Sequence, residues 1–214
     1  MLGFLGGTGP EGRGLALRFG IAGEPVMIGS RDAARAEEAA EELKKLGNLV
    51  DVYGGLNEDV SRRADIVFIT VPYLGQWPLL QELKGYLDGK VVVDTVAPLL
   101  YSDGQFSMHE VPEGSAALQA QAILHGSSVV AAFQTVSAHD LLNLDTSVQG
   151  DVVTCADDDD ARTVVMNLVG RIDSLRAING GGLINAKYVE GITTLLLSIN
   201  RIYKARSSVK FAGV

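Results

Sequence analysis

The chain begins with the stretch Gly3-Phe4-Leu5-Gly6-Gly7-Thr8-Gly9-Pro10-Glu11-Gly12-Arg13-Gly14-Leu15, in which a short apolar run leads into glycines and a helical pattern follows. Glycine lets the backbone turn at positive φ and lets a ligand approach closely. The first turn of the following helix presents unpaired N–H groups and the positive end of the helix dipole. Such a turn favours a phosphate or pyrophosphate, so the stretch predicts dinucleotide binding between a strand and a helix.

The glycines of this stretch have the spacing of a dinucleotide-binding turn. Gly7, Gly9 and Gly12 satisfy G-x-G-x-x-G, and Gly6 adds a glycine at the end of the strand. The motif alone is only moderately specific, and a tight turn without a ligand is the alternative. Its position after a strand and before a helix favours binding. The residues predicted to hold the dinucleotide here are Gly6, Gly7, Thr8, Gly9, Pro10, Glu11 and Gly12.

Length and composition indicate one globular core with an appended segment. The chain has 214 residues, of which 47% are hydrophobic and 21% charged, which excludes a disordered chain. The net charge of -8 argues against nucleic acid or an anionic membrane as a partner.

The single cysteine, Cys155, excludes an internal disulfide and suits a reducing cytosol. The chain has no basic region after Met1 and no apolar run of about 18 residues. We therefore expect a cytoplasmic protein without a membrane span, and we predict no metal site.

Strands and helices alternate through the first half of the chain. Predicted strands cover residues 2–5, 25–28, 50–53, 65–71 and 90–94, and predicted helices cover 11–21, 32–46 and 76–87, with a short helix after residue 57. Residues 65–71 are apolar on both faces, which is typical of a buried parallel strand. The alternation predicts an α/β protein with a Rossmann-type, doubly wound parallel sheet and right-handed crossovers.

The second half of the chain has a looser pattern. We expect a long loop at residues 99–112, a helix at 115–124, strands at 128–136 and 151–155, and a helix at 161–174. The four acids at 157–160 are interpreted as caps of that helix and not as a metal site. A short strand at 176–178 and a long apolar helix at 185–203 follow. The predicted domains are a dinucleotide-binding domain at 1–150 and a small, mainly helical domain at 151–214 that completes the cleft.

The end of the second strand indicates which dinucleotide binds. A protein that binds NAD places a carboxylate here for the ribose 2′-hydroxyl, whereas this chain has Ser30 and Arg31. Their hydroxyl and guanidinium donors suit a 2′-phosphate, and Arg35 and Thr8 can add to them. Asp32 is compatible with this if it points away at the start of the next helix. We therefore predict NADP over NAD, and the alternative role of Arg35 is an ordinary exposed charge.

A second compartment is expected where later strands end at the same sheet edge. In open α/β sheets, ligands bind beside the carboxyl ends of the strands, at the switch in strand order. Small residues after the sixth strand leave room for a flat ring over a nicotinamide. The residues predicted to line this compartment are Val71, Pro72, Val96, Gln134, Ser137 and Ala138. Simple strand termination is the alternative for the residues that end strands four and five.

No acid–base set is evident near these strand ends. The chain has no Ser-His-Asp order and no paired carboxylates in a credible pocket, and His139 is compatible both with a role at the site and with none. We therefore predict no catalytic residue. This absence fits hydride transfer between two cofactors, in which the protein orients the cofactors and excludes water.

The motifs together resemble the F420-dependent NADP oxidoreductases. The shared features, in the family's order over nearly the whole chain, are Gly6-Gly7-Thr8-Gly9, Gly29-Ser30-Arg31, Thr70-Val71-Pro72, Cys155-Ala156-Asp157-Asp158 and Val209-Lys210-Phe211. The glycine turn is shared by many enzymes, whereas the acidic run and the C-terminal motif are more specific to this family.

This resemblance implies a fold, two cofactors and a reaction. The family has an N-terminal dinucleotide-binding domain and a small C-terminal domain, with the deazaflavin coenzyme F420 in the cleft between them. Hydride passes directly between C5 of the deazaflavin and C4 of the nicotinamide, and members are typically homodimers or larger. By position, the residues that would hold NADP are Thr8, Gly9, Ser30 and Arg31, and those near the nicotinamide are Val71, Pro72 and Ala138.

Two positions depart from the family's pattern. Family members often carry His where this chain has Gln134, and some carry Pro where it has Ser137. Gln134 keeps a donor for a ring carbonyl.

The expected function is hydride transfer between NADP(H) and coenzyme F420. The alternatives are an NADPH-dependent reductase of another flavin-like or small carbonyl substrate and a catalytically silent NADP(H)-sensing protein. We also expect a homodimer, and the apolar helix at 185–203 is either its interface or the C-terminal core.

Overall fold

The structure is a computed structural model that describes residues 1–214. Its strands are β1 (Leu2–Leu5), β2 (Val26–Ser30), β3 (Val52–Leu56), β4 (Ile66–Ile69), β5 (Val91–Asp94), β6 (Leu99–Ser102), β7 (Gln105–Met108), β8 (Ser128–Ala131), β9 (Gly150–Thr154) and β10 (Leu175–Asn179). Its helices are α1 (Pro10–Ile21), α2 (Ala33–Gly47), α3 (Asn57–Arg63), α4 (Tyr73–Leu87), α5 (Ala116–Ile123), α6 (Ala138–Leu142), α7 (Asp159–Val169) and α8 (Ala186–Tyr203).

Six strands form the central sheet in the order β3-β2-β1-β4-β5-β8. Every neighbouring pair in this sheet is parallel, and helices connect the strands. The strand order reverses between β1 and β4, which opens a crevice at the carboxyl ends of these strands. The predicted Rossmann-type, doubly wound sheet is therefore confirmed.

The sheet is buried on both faces, which explains its continuous apolar strands. Successive side chains of a strand point to opposite faces, so Phe4 and Phe68 join one buried cluster. Their neighbours Leu5 and Ile69 join a second cluster. On the first face, the rings of Phe4, Phe19 and Phe68 lie with centroids 4.8–6.4 Å apart.

The C-terminal segment packs against the end of this sheet. β9 and β10 form a parallel pair, and an antiparallel bridge between Ala131 and Cys155 links the pair to β8. The Asp158 carboxylate accepts hydrogen bonds from the N–H groups of Asp160 and Ala161 at the start of α7. This confirms the interpretation of the acidic run as a helix cap. The long apolar helix is also confirmed as α8, and no helix of the protein combines the length and apolarity needed to cross a membrane.

The long loop expected at residues 99–112 is wrong in part, because β6 and β7 form an antiparallel hairpin there. Its two-residue turn has positive φ at Asp103 (51°) and at Gly104 (76°). An Asp-Gly pair is a strong hairpin signal, so the sequence did contain the evidence for this element. The hairpin lies against α8. A Cβ atom added to Gly191 on α8 would lie 3.6 Å from the Met108 Sδ atom on β7.

The predicted sixth strand, residues 128–136, is too long. β8 ends at Ala131, and Phe133 adopts a positive φ of 72°, which breaks the extended conformation. The segment then enters the short helix α6, which the sequence pattern did not reveal. Residues 132–137 therefore form a turn at the sheet edge and not a continuation of the strand.

Candidate active site

The connection between β1 and α1 is a tight turn that only glycine can form. Gly6 has a φ of +67°, and its N–H donates to Asn57 Oδ1 at 3.0 Å. A Cβ on Gly12 would lie 2.5 Å from the Gly7 Cα atom and 2.6 Å from Thr70 Oγ1. The turn is therefore pressed against the first turn of α1 and against the end of β4, as a dinucleotide-binding turn requires.

The start of α1 is open to a ligand. Gly9 is the N-cap residue and supplies no side-chain hydrogen bond, and Pro10 occupies the first turn of the helix. A Cβ on Gly9 would meet only the Gly6 carbonyl oxygen, at 3.8 Å, so space remains on this side. Uncapped N–H groups at the positive end of a helix dipole suit an anion, and the residues present here fit the pyrophosphate of a dinucleotide.

The tip of β2 lies at the same sheet edge as the glycine turn, and the acid that follows it is engaged elsewhere. Strands β1 and β2 are neighbours in register, with Phe4 opposite Ile28, so Ser30 lies beyond the turn at the same sheet edge. The Asp32 carboxylate accepts from the N–H groups of Ala34 and Arg35, at 3.0 and 3.4 Å. This carboxylate is therefore engaged as the cap of α2.

The guanidinium groups at this tip have no competing partner. Arg31 and Arg35 are both exposed, and neither takes part in an ion pair, since the nine ion pairs of the protein involve other residues. Ser30 Oγ accepts from the Asp32 N–H at 3.2 Å, which leaves the hydroxyl proton available to a ligand. Two free cations and a hydroxyl donor fit a 2′-phosphate.

A cleft of about 460 Å³ adjoins the turn at the carboxyl edge of the sheet. It brings together nine of the residues predicted from the sequence, and these are Gly9, Pro10, Glu11, Val71, Pro72, Val96, Gln134, Ser137 and Ala138. The other predicted residues lie outside its lining, at the turn and the tip of β2, and these are Gly6, Gly7, Thr8, Gly12, Ser30, Arg31 and Arg35. The predicted residues thus form two adjoining groups.

One wall of the cleft was missed by the sequence analysis. Helix α8 contributes Thr193, Leu196, Leu197 and Asn200, whose spacing of three, one and three residues places them on one face of the helix. That spacing was visible in the sequence, but nothing in it indicated what the face would cover. Tyr73, at the start of α4, is a further lining residue that was not predicted.

Gln134 is held by its amide nitrogen and leaves its amide oxygen free. Its Nε2 donates to the Asp94 carbonyl oxygen at 2.8 Å, and its backbone carbonyl accepts from Thr193 Oγ1 at 2.9 Å. Gln134 Oε1 is buried and has no partner in the protein. The side chain therefore offers a ligand an unused acceptor, whereas the sequence analysis had considered only a donor.

Helix α6 is fastened to α1, which sets the position of Ser137 and Ala138. Ser137 Oγ caps α6 by accepting from the Asp140 N–H at 3.3 Å. The Arg18 guanidinium on α1 donates to the carbonyl oxygens of Leu141 and Asp140, both at 2.8 Å, and to that of Asn143 at 2.6 Å. Arg18 therefore holds this wall of the cleft against the helix that follows the glycine turn.

His139 takes no part in the cleft. Its side chain is largely exposed, its Nδ1 atom lies 3.5 Å from Asp140 Oδ1, and the residue is absent from the lining. The histidine considered from the sequence is therefore placed on the surface of α6, beside the cleft wall and not within it.

Two buried carboxyl groups support the wall at the end of β5. Asp94 Oδ1 accepts from the Val96 N–H at 2.8 Å, and Asp94 Oδ2 accepts from Gln76 Nε2 at 3.0 Å. Burial, with a smaller contribution from the nearby Glu190, raises the pKa of Asp94 to about 8. Glu190 on α8 accepts from the N–H groups of Ala116 and Ala117, and its burial raises its pKa to about 7.

Glu11 is the one carboxyl group that lines the cleft itself. Burial raises its pKa to about 8, and its Oε1 atom is buried without a hydrogen-bond partner. The only other ionisable lining residue is Tyr73. Glu11 is therefore the only acid at the cleft, and no second carboxyl group flanks a common position with it.

The site combines a glycine turn that fits a pyrophosphate, a cationic tip that fits a 2′-phosphate and an adjoining cleft without acid–base pairs. They are the features of an oxidoreductase that binds NADP through a Rossmann-type sheet.

Comparisons with known proteins place the chain within this class. The family model described as NADP oxidoreductase, coenzyme F420-dependent, matches residues 1–98. The chain is 39% identical to the F420-dependent NADP reductase of Methanothermobacter thermautotrophicus, over 98% of this chain and 91% of that one. It is 38% identical to the enzyme of the same name from Methanocaldococcus jannaschii, over 95% and 94% of the two chains. The chain belongs to the family of F420-dependent NADP oxidoreductases.

Solved structures agree on the fold. A protein from Arthrobacter sp. FB24 superposes with a TM-score of 0.84 at 23% identity, over 99% of this chain and 98% of that one. A pyrroline carboxylate reductase from Plasmodium falciparum superposes with a TM-score of 0.61 at 16% identity, over 95% of this chain and 64% of that one. At these identities the likeness shows the fold alone.

Proposed function

We propose that this protein transfers hydride between NADP(H) and the deazaflavin coenzyme F420. The observation that carries the proposal is the pairing of a dinucleotide turn with a cleft that has only Glu11 and Tyr73 as ionisable lining residues. When both cofactors are bound, they supply the redox chemistry by exchanging hydride between C5 of the deazaflavin and C4 of the nicotinamide. The protein then has to bind the rings, orient them and exclude water.

The phosphates of NADP are assigned to the turn and to the tip of β2. Gly6, Gly7, Thr8 and Gly9 of the turn are proposed to hold the pyrophosphate, together with Pro10, Gly12 and the backbone N–H of Glu11 in the first turn of α1. Ser30, Arg31 and Arg35 are proposed to hold the 2′-phosphate. The absence of any ion pair at Arg31 and Arg35, together with the Asp32 cap, supports this assignment.

The nicotinamide and the deazaflavin are assigned to the cleft. A Cβ on Gly6 would lie 2.3 Å from Val71 Cγ1, so Val71 packs directly on the turn and continues its surface into the cleft. We propose that Val71, Pro72 and Val96 form the wall beside the nicotinamide. Ala138 and Ser137 also line the cleft. We propose that their small side chains leave room for a second ring and that Gln134 Oε1, which has no partner in the protein, accepts from a ring N–H.

Residues 151–214 are proposed to act as the small domain that completes this cleft. The support is that α8 supplies Thr193, Leu196, Leu197 and Asn200 to the lining. The tail after α8 is also anchored, because Asn200 Oδ1 accepts from both the N–H and the hydroxyl of Ser207. We also propose a cytoplasmic location, in keeping with the free and buried thiol of Cys155.

We propose that the protein is a homodimer that pairs through α8. Tyr188, Leu195 and Ile202 recur every seven residues along this helix and are 63%, 58% and 73% exposed, so they form one apolar stripe. An isologous dimer places the same stripe of a second copy against it. Leu195→Glu should convert the dimer to a monomer in sedimentation velocity, and a monomeric unsubstituted protein would contradict the proposal.

The function is tested by mixing the protein with NADPH and oxidised coenzyme F420. The visible absorbance of the deazaflavin should decrease only when protein and NADPH are both present. Turnover of a free flavin without turnover of the deazaflavin would instead support a reductase of another flavin-like substrate. Tight NADPH binding with no acceptor reduced would support a sensing protein, and either result would overturn the proposed function.

A further inference from the structure

Glu11 places a carboxyl group where the proposed ligand brings its negative charges. It lies in the first turn of α1, between the glycines of the turn and the cleft, and it is the only carboxyl group in the cleft lining. A dinucleotide brings the negative charges of its phosphates to this helix end, so an ionised carboxylate here would repel the ligand. A neutral carboxyl group avoids that repulsion and can both donate and accept hydrogen bonds.

We propose that Glu11 senses the charge of the nicotinamide ring, being neutral beside NADPH and ionised beside NADP+. The inference rests on the proposed function, which assigns the nicotinamide to this cleft. Oxidised nicotinamide carries a positive charge that the reduced ring lacks, and a positive charge within about 4–6 Å stabilises a carboxylate. Glu11 would thus favour the oxidised cofactor more strongly as the pH rises.

The surroundings of Glu11 make it suited to this role. Glu11 is partly exposed overall, but desolvation of its carboxyl group raises its pKa to about 8. Its Oε1 atom has no partner, so no protein group holds either protonation state. A ligand charge that enters the cleft therefore acts on a group that is poised to lose its proton near neutral pH.

The other ionisable groups on the elements around the cleft do not take over this role. On α1, Arg13 is paired with Glu42, and on α6, Asp140 is paired with Arg206 and lies beside His139. Tyr73 is the phenol at the start of α4. Asp94 on β5 and Glu190 on α8 titrate in the same pH range but do not line the cleft.

The inference predicts that the ratio of the dissociation constants of NADP+ and NADPH changes with pH. Both forms of the cofactor carry the same phosphates, so the ratio of their dissociation constants isolates the charge of the ring. If the pKa of Glu11 is about 8 beside NADPH and about one unit lower beside NADP+, the ratio Kd(NADP+)/Kd(NADPH) falls about 8-fold from pH 6 to pH 9.

The test is isothermal titration calorimetry of both forms against the whole protein, its Glu11→Gln variant and a Glu37→Gln control. Glu37 is exposed on α2 and lies outside the cleft. At pH 7.5, in buffers of different ionisation enthalpy, NADP+ should release about half a proton more than NADPH. Glu11→Gln should abolish this difference and make the ratio independent of pH, while Glu37→Gln should preserve both.

The possible outcomes separate this inference from the function on which it rests. Binding of both forms with a ratio that does not change with pH would overturn the role of Glu11 and leave the function intact. A pH-dependent ratio that persists in Glu11→Gln would also overturn it, because Asp94 and Glu190 remain in that variant. If neither form binds, the NADP assignment itself fails.

Discussion

Two connections at the carboxyl edge of the sheet form the candidate site, and they are built in different ways. The first, residues 6–9 between β1 and α1, is shaped by the absence of side chains. The second, residues 132–137 between β8 and α6, is shaped by side chains that reach distant parts of the molecule. Phe133 holds a positive φ of 72°, which costs on the order of 1–3 kcal/mol for a residue other than glycine.

Long-range contacts offset that cost in the second connection. The Phe133 ring packs 6.0 Å from both Phe19 and Phe68, and Gln134 is bonded to the carbonyl oxygen of Asp94. The shape of the glycine turn, in contrast, follows mainly from the conformational freedom of its own glycines, and its one hydrogen bond to a distant side chain is from the Gly6 N–H to Asn57 Oδ1. One part of the site is therefore encoded locally, and the other depends on the completed core.

The largest expected effect tests whether the core holds the second connection. Phe133 is 1% exposed, and Phe133→Ala should lower the free energy of unfolding by about 3–5 kcal/mol, because it leaves a cavity among the aromatic rings. Urea denaturation measures this change. Phe106→Ala on the half-buried hairpin is the control and should cost less. Equal losses in the two variants would show that the aromatic cluster has no special part.

The next effect concerns the cationic tip beside the glycine turn. Arg31→Ala should weaken NADPH binding roughly tenfold or more, since a hydrogen bond to a charged group contributes about 1.5–3 kcal/mol. NADH lacks the 2′-phosphate, so its affinity should stay unchanged. Calorimetric titration of both nucleotides gives the comparison. Lys45→Ala removes a similar charge from the far end of α2 and should affect neither, whereas equal losses for both nucleotides would contradict the assignment of Arg31.

Gly9 in the first connection and Gly12 in the first turn of α1 should respond differently to the same substitution. A Cβ at Gly12 would lie 2.5 Å from the Gly7 Cα atom, so Gly12→Ala should destabilise the fold by about 1–3 kcal/mol. A Cβ at Gly9 meets only one atom, at 3.8 Å, so Gly9→Ala should fold normally and lose NADPH affinity. Thermal unfolding and calorimetry distinguish the two effects. A destabilised Gly9→Ala that binds NADPH normally would reverse the roles given to these residues.

The same contrast explains what could be predicted from the sequence. The glycine turn, the β2 tip and the parallel sheet follow from local patterns, in which period and composition determine structure. The end of β8 could not be predicted, because Val129-Val130-Ala131-Ala132-Phe133 continues the pattern of a buried strand. The strand ends just before Phe133, whose ring packs against rings from β4 and α1, and the local sequence does not reveal these distant contacts.

The α8 wall illustrates a second limit. Its lining residues repeat on one helical face, but a helical face does not reveal its neighbour, and the partner here comes from residues 134–138, earlier in the chain. The hairpin of β6 and β7 was a different kind of miss. Its Asp103-Gly104 turn was a local signal, and the long-loop interpretation overlooked it.

A smaller effect is expected from the buried acids behind the second compartment. Burial raises the pKa of Asp94 to about 8, above its unfolded value, so the folded state binds more protons between these two values. Stability should therefore fall as the pH rises through this window, by at most about 1.4 kcal/mol per pH unit for one group.

Asp94→Asn should make that slope shallower between pH 5 and pH 8, because the substituted side chain does not titrate. Urea denaturation at each pH, without cofactors, provides the measurement. Glu37→Gln on exposed α2 should leave the slope as it is in the unsubstituted protein. Parallel stability curves for Asp94→Asn and the unsubstituted protein would show that Asp94 ionises normally within the fold.

The smallest expected effect separates the structural from the binding role of a cleft residue. Ser137 caps α6 through the Asp140 N–H, and Ser115 caps α5 through the Leu118 N–H at 3.0 Å, away from the cleft. Replacing either residue by Ala should lower the free energy of unfolding by about 1 kcal/mol. Only Ser137→Ala should also change the KM for coenzyme F420, because only Ser137 lines the cleft. Equal effects of both variants on that KM would mean that Ser137 acts as a helix cap alone, and the second ring would then have to lie elsewhere along the wall that α8 provides.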